Sequence, residues 1–349
     1  MILSEKRKQI GVIITVVFSL SIRIYAQQHA VDKKQFSDYT EMRAYVGELY
    51  RQKNYKEAAE ILTGALEEFP DHVHANSYNL ALMLVHLNEF EKCVEVLNNA
   101  LEREVWFGKY DFFAELWNPI KDLKAFKTFT KRNEDRLKKA GASAKPELFV
   151  FTPKNFIPDK KYPLFIALHG GGGNVEEFKN NWFSEKMKLE FISAYPQSSQ
   201  LITMNGYSWT EDIELAKKEI QEAYQKVIKE YPVDTDRVVI GGFSSGGVAA
   251  IEVVLDNIFP VNGFVVLCPA KPDGFSGDKV EAAKNRGVRG VLLTTEMDNR
   301  LDAQKEMAEI MEKTGFLHHF DITPNRGHWF PEDMDKKIDD AIEFILKNI

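Results

Sequence analysis

Cysteine is scarce: Cys93 and Cys268 are the only two in 349 residues. A disulfide framework is therefore excluded, and no CxxC or Cys/His cluster offers the spacing of a metal site. The eight histidines are scattered, and none stands in an HExxH pair, so no metal is expected. Both cysteines lie in apolar helix or strand patterns and read as buried free thiols. An excess of basic residues is also lacking, with 45 Lys and Arg against 52 Asp and Glu and a formal net charge of −7. A nucleic-acid partner would require a basic face, so none is expected. The acidic residues are spread along the chain, as on a solvated surface.

The apolar run "IGVIITVVFSLSI" covers only residues 10–22. A membrane-spanning helix needs about 20 residues. The run follows Lys6, Arg7 and Lys8 and precedes "IYA", which ends at Ala26. A basic start, a short apolar stretch and a small residue at the end describe a secretory signal peptide over residues 1–26. Export to a periplasmic or extracellular space is expected, with no membrane span once the signal is removed. Arg23, beside the apolar run, leaves an uncleaved N-terminal anchor as the alternative.

From about 36 to 138 the pattern is helical. "NYKEAAEILTGALEEFP" (54–70) and "EFEKCVEVLNNALEREV" (89–105) repeat. A shift of 35 positions aligns Tyr55 with Phe90, Ala58 with Cys93, Leu62 with Leu97, Ala65 with Ala100 and Leu66 with Leu101. That period, with small residues where helices cross, resembles a pair of tetratricopeptide repeats. Such repeats need stacked neighbours to bury their faces, which "YDFFAELW" and "LKAFKTFTKRNEDRLKKA" can supply. The apolar stripe reads as core, with a protein- or peptide-binding groove as the alternative. "KKAGASAKP" (138–146) breaks the periodicity and suggests a boundary between a helical domain (27–140) and a second domain (145–349).

Past that break, short apolar runs ("ELFVFT", "PLFIALHG", "LEFISAY", "RVVIGGF", "NGFVVLC", "RGVLLTT") alternate with amphipathic segments such as 211–231, 301–315 and 336–348. The expected class is α/β, a doubly wound, mostly parallel sheet preceded by the smaller all-α repeat domain. In such sheets chemistry gathers at the carboxyl ends of the strands.

"GGFSSGG" follows the run "RVVIGGF" and opens the helix "GVAAIEVVLD". Gly242-Phe243-Ser244-Ser245-Gly246 fits G-x-S-x-G in strand–turn–helix context, which nominates Ser244 as a nucleophile. Ser245 would then contribute its backbone N–H to an oxyanion. A serine needs a base, and the base an orienting acid. Of the three later histidines, His318 and His319 sit in the apolar run "LHHFDIT" and read as structural. His328, in the loop "PNRGHWFPED", is the candidate base. Between them, "TTEMDNRLD" offers Asp298 as the acid, with Glu296 in reserve. His169 and Gly170–Gly173 follow another strand, and Gly171 is the best second oxyanion donor. No GK[ST] follows these glycines, so they are not a phosphate loop. Trp209 and Trp329 are candidate walls of a substrate pocket.

The motifs "LHGGGGN", "VVIGGFSSGG", "TTEMD" and "GHWFPED", in the order Ser–Asp–His, resemble serine esterases of the α/β-hydrolase superfamily over residues 145–349. The nearest branches are phospholipase/carboxylesterase and feruloyl-esterase or depolymerase-like. The resemblance implies ester hydrolysis through an acyl-enzyme without cofactor, on a small-molecule or carbohydrate-linked ester. Thr295 departs from it, because many relatives carry Gly there. Two alternatives remain: a serine peptidase of the prolyl-oligopeptidase type, which shares GGxSxGG, and a non-catalytic helical-repeat binding protein.

Overall fold

The computed structural model describes residues 35–347. The signal-like segment 1–26 lies outside the described residues. Among those described, no helix is long and apolar enough to cross a membrane. The chain divides into two compact units, one ending at Glu89 and the other beginning at Phe90.

The first unit contains helices Tyr39–Arg51, Tyr55–Glu68 and Val73–His86. Small side chains let the helices approach closely: Ala58, Ala65 and Ala81 are at most 2% exposed. Asn76 Nδ2 donates to the Ala65 carbonyl at 3.1 Å, and the rings of Tyr55 and His86 stack at 4.2 Å.

The second unit starts with helix Phe90–Glu102, where Cys93, Leu97, Ala100 and Leu101 are buried. Four of the residues paired by the 35-position shift are thus core here, as Ala58, Leu62 and Ala65 are in the first unit. Residues 106–129 gather an aromatic cluster of Phe107, Phe112, Trp117, Phe126 and Phe129. Helix Lys124–Ser143 carries two of these rings and runs through most of the "KKAGASAKP" stretch. That stretch is therefore a helix end leading into a strand. Compactness divides the chain about fifty residues earlier because residues 106–143 are tied to the sheet domain. The Lys109 amide donates to the Ile202 carbonyl at 2.9 Å, and Tyr110 Oη donates to Glu211 at 2.7 Å.

The main sheet has seven strands: β1 (Glu147–Phe151), β2 (Tyr162–Leu168), β3 (Ile192–Gln197), β6 (Val233–Phe243), β7 (Gly263–Leu267), β8 (Arg289–Thr295) and β9 (His318–Thr323). A hairpin of β4 (Gln200–Thr203) and β5 (Gly206–Ser208) stands apart. The order is β1-β3-β2-β6-β7-β8-β9. Only β1 runs antiparallel. This is a mostly parallel α/β sheet with an antiparallel edge strand.

Its strands read as unbroken apolar runs because both faces are covered. Leu164, Ile166 and Leu168 of β2 join one buried cluster, while Phe165 and Ala167 join the other. β6 splits in the same way, with Val238 and Ile240 on one face and Val239 on the other. Helices Ile213–Glu230, Ser245–Leu255, Gly277–Asn285 and Leu301–Thr314 supply the first cluster, and helix Met334–Leu346 the second. Each fully buried Val, Ile or Leu contributes about 2 kcal/mol. Chain order reverses between β2 and β6, so a crevice opens at their carboxyl ends.

Candidate active site

β2 delivers His169–Gly173 to that crevice, and the adjacent β6 delivers Ser244, with Leu168 paired to Gly242. The turn at Ser244 is tight. Its φ is +52° with ψ −114°, a conformation that a side chain rarely adopts. The turn closes because the flanking glycines lack Cβ atoms: one on Gly242 would lie 2.5 Å from the Gly246 carbonyl carbon, and one on Gly246 2.4 Å from the carbonyl oxygens of Leu168 and His169. Helix Ser245–Leu255 then starts at once, and the Ser244 amide donates to the Leu267 carbonyl at 2.9 Å.

β8 and β9 carry the other two groups. Three hydrogen bonds zip the loops beyond them: Glu296 N to Thr323 O (2.9 Å), Met297 N to Arg326 O (2.9 Å) and Thr295 Oγ1 to Gly327 O (2.9 Å). Within this frame His328 Nδ1 donates to Asp298 Oδ2 at 2.5 Å, and Nε2 faces Ser244 Oγ at 3.0 Å. The Asp298 side chain is fully covered, whereas the His328 side chain keeps 32% of its surface open to solvent. Burial by itself raises the pKa of Asp298. The His328 ring N–H, the Arg300 amide at 2.7 Å and the Cys268 thiol more than offset this and hold the carboxyl below its ordinary range. Ser244, Asp298 and His328, 84 positions apart at their widest, thus form one hydrogen-bonded chain. Glu296 is turned elsewhere and accepts the Asn325 amide at 2.8 Å. His318 bonds the Phe316 carbonyl, and His319 packs on Phe344.

Gly171 and Ser245 meet across the crevice, since a Cβ on Gly171 would stand 3.3 Å from Ser245 Oγ. Among the described residues, neither of their backbone N–H groups has a protein acceptor. Two donors left open beside the Ser244 hydroxyl can bind an oxyanion. The buried His169 ring supports their loop. Its Nε2 accepts from Gln197 Nε2 (2.8 Å) and from the Ser198 amide (3.3 Å), so its proton resides on Nδ1, which donates to the Gly170 carbonyl at 2.9 Å. Desolvation lowers the pKa of His169 to about 4, and the imidazole stays neutral.

The two tryptophans part company. Trp329 is 54% exposed beside His328, but Trp209 is fully buried and tilts against His169 at 5.1 Å. It is core beneath the glycine loop and no pocket wall, because β5 carries it inward behind Ser208. Sequence reasoning missed Gln197, Thr295, Cys268 and Arg300. Of these, Thr295 alone carried a visible signal, as a departure from the motif pattern that the resemblance implies.

Cys268, Asp298 and His328 have ligand atoms within 4.8 Å of one another. Burial pushes the Cys268 thiol up to about 12, and Asp298 and His328 are hydrogen-bonded to each other.

Comparisons with known proteins fit this architecture. Residues 49–105 match the tetratricopeptide repeat family. The bifunctional acetylxylan esterase/xylanase XynS20E of Neocallimastix patriciarum is 28% identical over 103 residues, which is 29% of this chain and 14% of that protein's length. The crystal structure of an uncharacterized protein from Bacillus cereus ATCC 10987 shares the fold, with a TM-score of 0.50 and 22% identity over 89% of this chain and 99% of that one. The structure of esterase PE8 aligns with 58% of this chain and all of its own, at 15% identity and a TM-score of 0.47. Residues 49–105 of this chain are therefore similar to tetratricopeptide repeats, and the whole shares its fold with the Bacillus cereus protein.

Proposed function

We propose that the chain is an exported serine hydrolase that cleaves carboxylic esters. The observation that carries this reading is the hydrogen-bonded chain Asp298–His328–Ser244 ending at the strained turn. Asp298 fixes the proton on His328 Nδ1, which leaves the Nε2 lone pair to take the Ser244 proton. Ser244 Oγ attacks the acyl carbon, and the Gly171 and Ser245 N–H groups bind the oxyanion. Each such donor is worth on the order of 3 kcal/mol in the transition state. The tetrahedral adduct collapses, its alkoxide takes the proton from His328 and leaves as the alcohol, and an acyl-serine remains. Water repeats the sequence, with its proton passing to His328 and then to Ser244 Oγ as the acid departs. No step needs a cofactor.

Export rests on the basic, apolar and small-residue succession in residues 1–26. The repeat helices are proposed as a scaffold that can also dock a protein partner. Hydrolysis of p-nitrophenyl acetate and labelling by a fluorophosphonate probe test the reading. Both are expected for the native chain and neither for Ser244→Ala. Equal activity in the variant, or cleavage of peptides but not esters, would overturn it.

A further inference from the structure

Arg300 occupies an unusual position. It stands at the start of helix Leu301–Thr314, and its amide holds Asp298 Oδ1 at 2.7 Å. Its Nη1 lies 3.2 Å from Nδ1 and 3.2 Å from Nε2 of His328. A nitrogen in the ring plane at equal distance from both would collide with Cε1, so the guanidinium lies over the face of the ring. Neither ring nitrogen can satisfy it: Nδ1 donates to Asp298, and Nε2 faces Ser244. Among the described residues its side chain has no carboxylate partner. Arg326, on the same histidine loop, differs in being paired with Glu332 at 3.6 Å. The Asp298 carboxylate close by is engaged by His328 Nδ1 and by the Arg300 amide, so this half-buried guanidinium has no carboxylate at ion-pair distance, which is costly to keep. This one also opposes the positive charge that His328 must acquire when it takes the serine proton.

We infer that Arg300 receives a carboxylate carried by the substrate, so that the preferred esters are anionic, with the carboxylate a few atoms from the scissile bond. This inference deepens the esterase reading and rests on it. The planar fork of a guanidinium fits a carboxylate in two parallel hydrogen bonds. A bound carboxylate would also offset the repulsion between Arg300 and the forming imidazolium, so the anion improves turnover as well as binding. Met297 and Trp329, on the same two loops, are exposed, and Arg300 itself is only partly buried.

Two substrate pairs test the inference, one for each side of the ester. Mono-p-nitrophenyl succinate is compared with p-nitrophenyl butyrate, and 4-acetoxybenzoate with its methyl ester. The native chain should favour the anionic member of at least one pair by about tenfold or more in kcat/KM, in line with a charge-assisted hydrogen bond. Arg300→Gln should abolish that preference, and Arg300→Lys should keep part of it. An unchanged preference in Arg300→Gln, or no preference in either pair, overturns the inference. Calorimetry with succinate and 4-hydroxybenzoate separates it from the esterase reading. Binding by the native chain and by Ser244→Ala, lost in Arg300→Gln, supports the anion site even if no ester is cleaved. Where no ester is cleaved, absence of binding refutes it.

Discussion

Thr295 Oγ1 donates to the Gly327 carbonyl at 2.9 Å, which ties the end of β8 to the loop that bears His328. The Thr295 side chain is fully buried, so the bond is shielded from water. It sets the spacing between two loops whose side chains must meet at 2.5 Å. Replacing Thr295 by Val keeps the shape but leaves the Gly327 carbonyl unpaired, at a cost of about 1 to 3 kcal/mol. We expect kcat/KM on p-nitrophenyl acetate to fall by about tenfold, with Thr295→Ser recovering most of it. Activity of Thr295→Val equal to the native value would show that the tether does not position His328.

Gly246 lies against the backbone of β2, where no side chain can yield. In Gly246→Ala the new methyl would sit 2.4 Å from the Leu168 and His169 carbonyl oxygens. The strand-to-helix turn must open, at a cost of roughly 3 kcal/mol or more. Urea unfolding should show the loss, together with a large drop in activity, because Ser244 is displaced with the turn.

His169 makes stability depend on pH. Its folded-state pKa is lowered to about 4 by burial, while the unfolded chain titrates near the ordinary 6.5. Between these values the unfolded state binds a proton that the native state does not, so stability rises with pH through this window. On acidification from pH 6.5 towards 4, a contribution on the order of 3 kcal/mol is progressively lost. Urea titrations at pH 7 and 4.5 should show this slope in the native chain and a shallower one in His169→Gln.

Asp298 and Glu296 are one residue apart across Met297, yet only Asp298 faces the imidazole. Asp298→Asn should lower kcat on p-nitrophenyl acetate on the order of a thousandfold, because an amide no longer fixes the proton on Nδ1. Glu296→Gln should stay within about threefold, since its carboxylate accepts only a loop amide. Comparable losses in the two variants would reverse the assignment of the acid.

Local chemistry made much of the fold legible. The continuous apolar runs of β2, β6, β7 and β8 required two covered faces, and "GGFSSGG" required a tight turn after a strand. The 35-position shift marked the repeat helices. Composition also suggested a break at 138–146. That break is only the end of a long helix, because the cluster of Phe107, Phe112 and Trp117 lies upstream and its attachment to Ile202 and Glu211 is a non-local contact.

Residue type and position in the chain by themselves determined that Ser244 stands on a turn, that His328 and Asp298 lie on loops after later strands, and that Cys93 and Cys268 are buried free thiols. Those properties depend on backbone sterics and on the period of apolar residues, which are written within a dozen residues. Only the tertiary structure decided that Asp298 and not Glu296 meets the imidazole, that Trp209 is core while Trp329 is exposed, and that Arg300 rests on the ring of His328. Each of these depends on how separate strands are registered and how their loops are tied, through contacts such as that between Thr295 and Gly327. A distance of 2.5 or 3.2 Å between side chains on different loops is set by the packing of the whole sheet, and no local pattern encodes it.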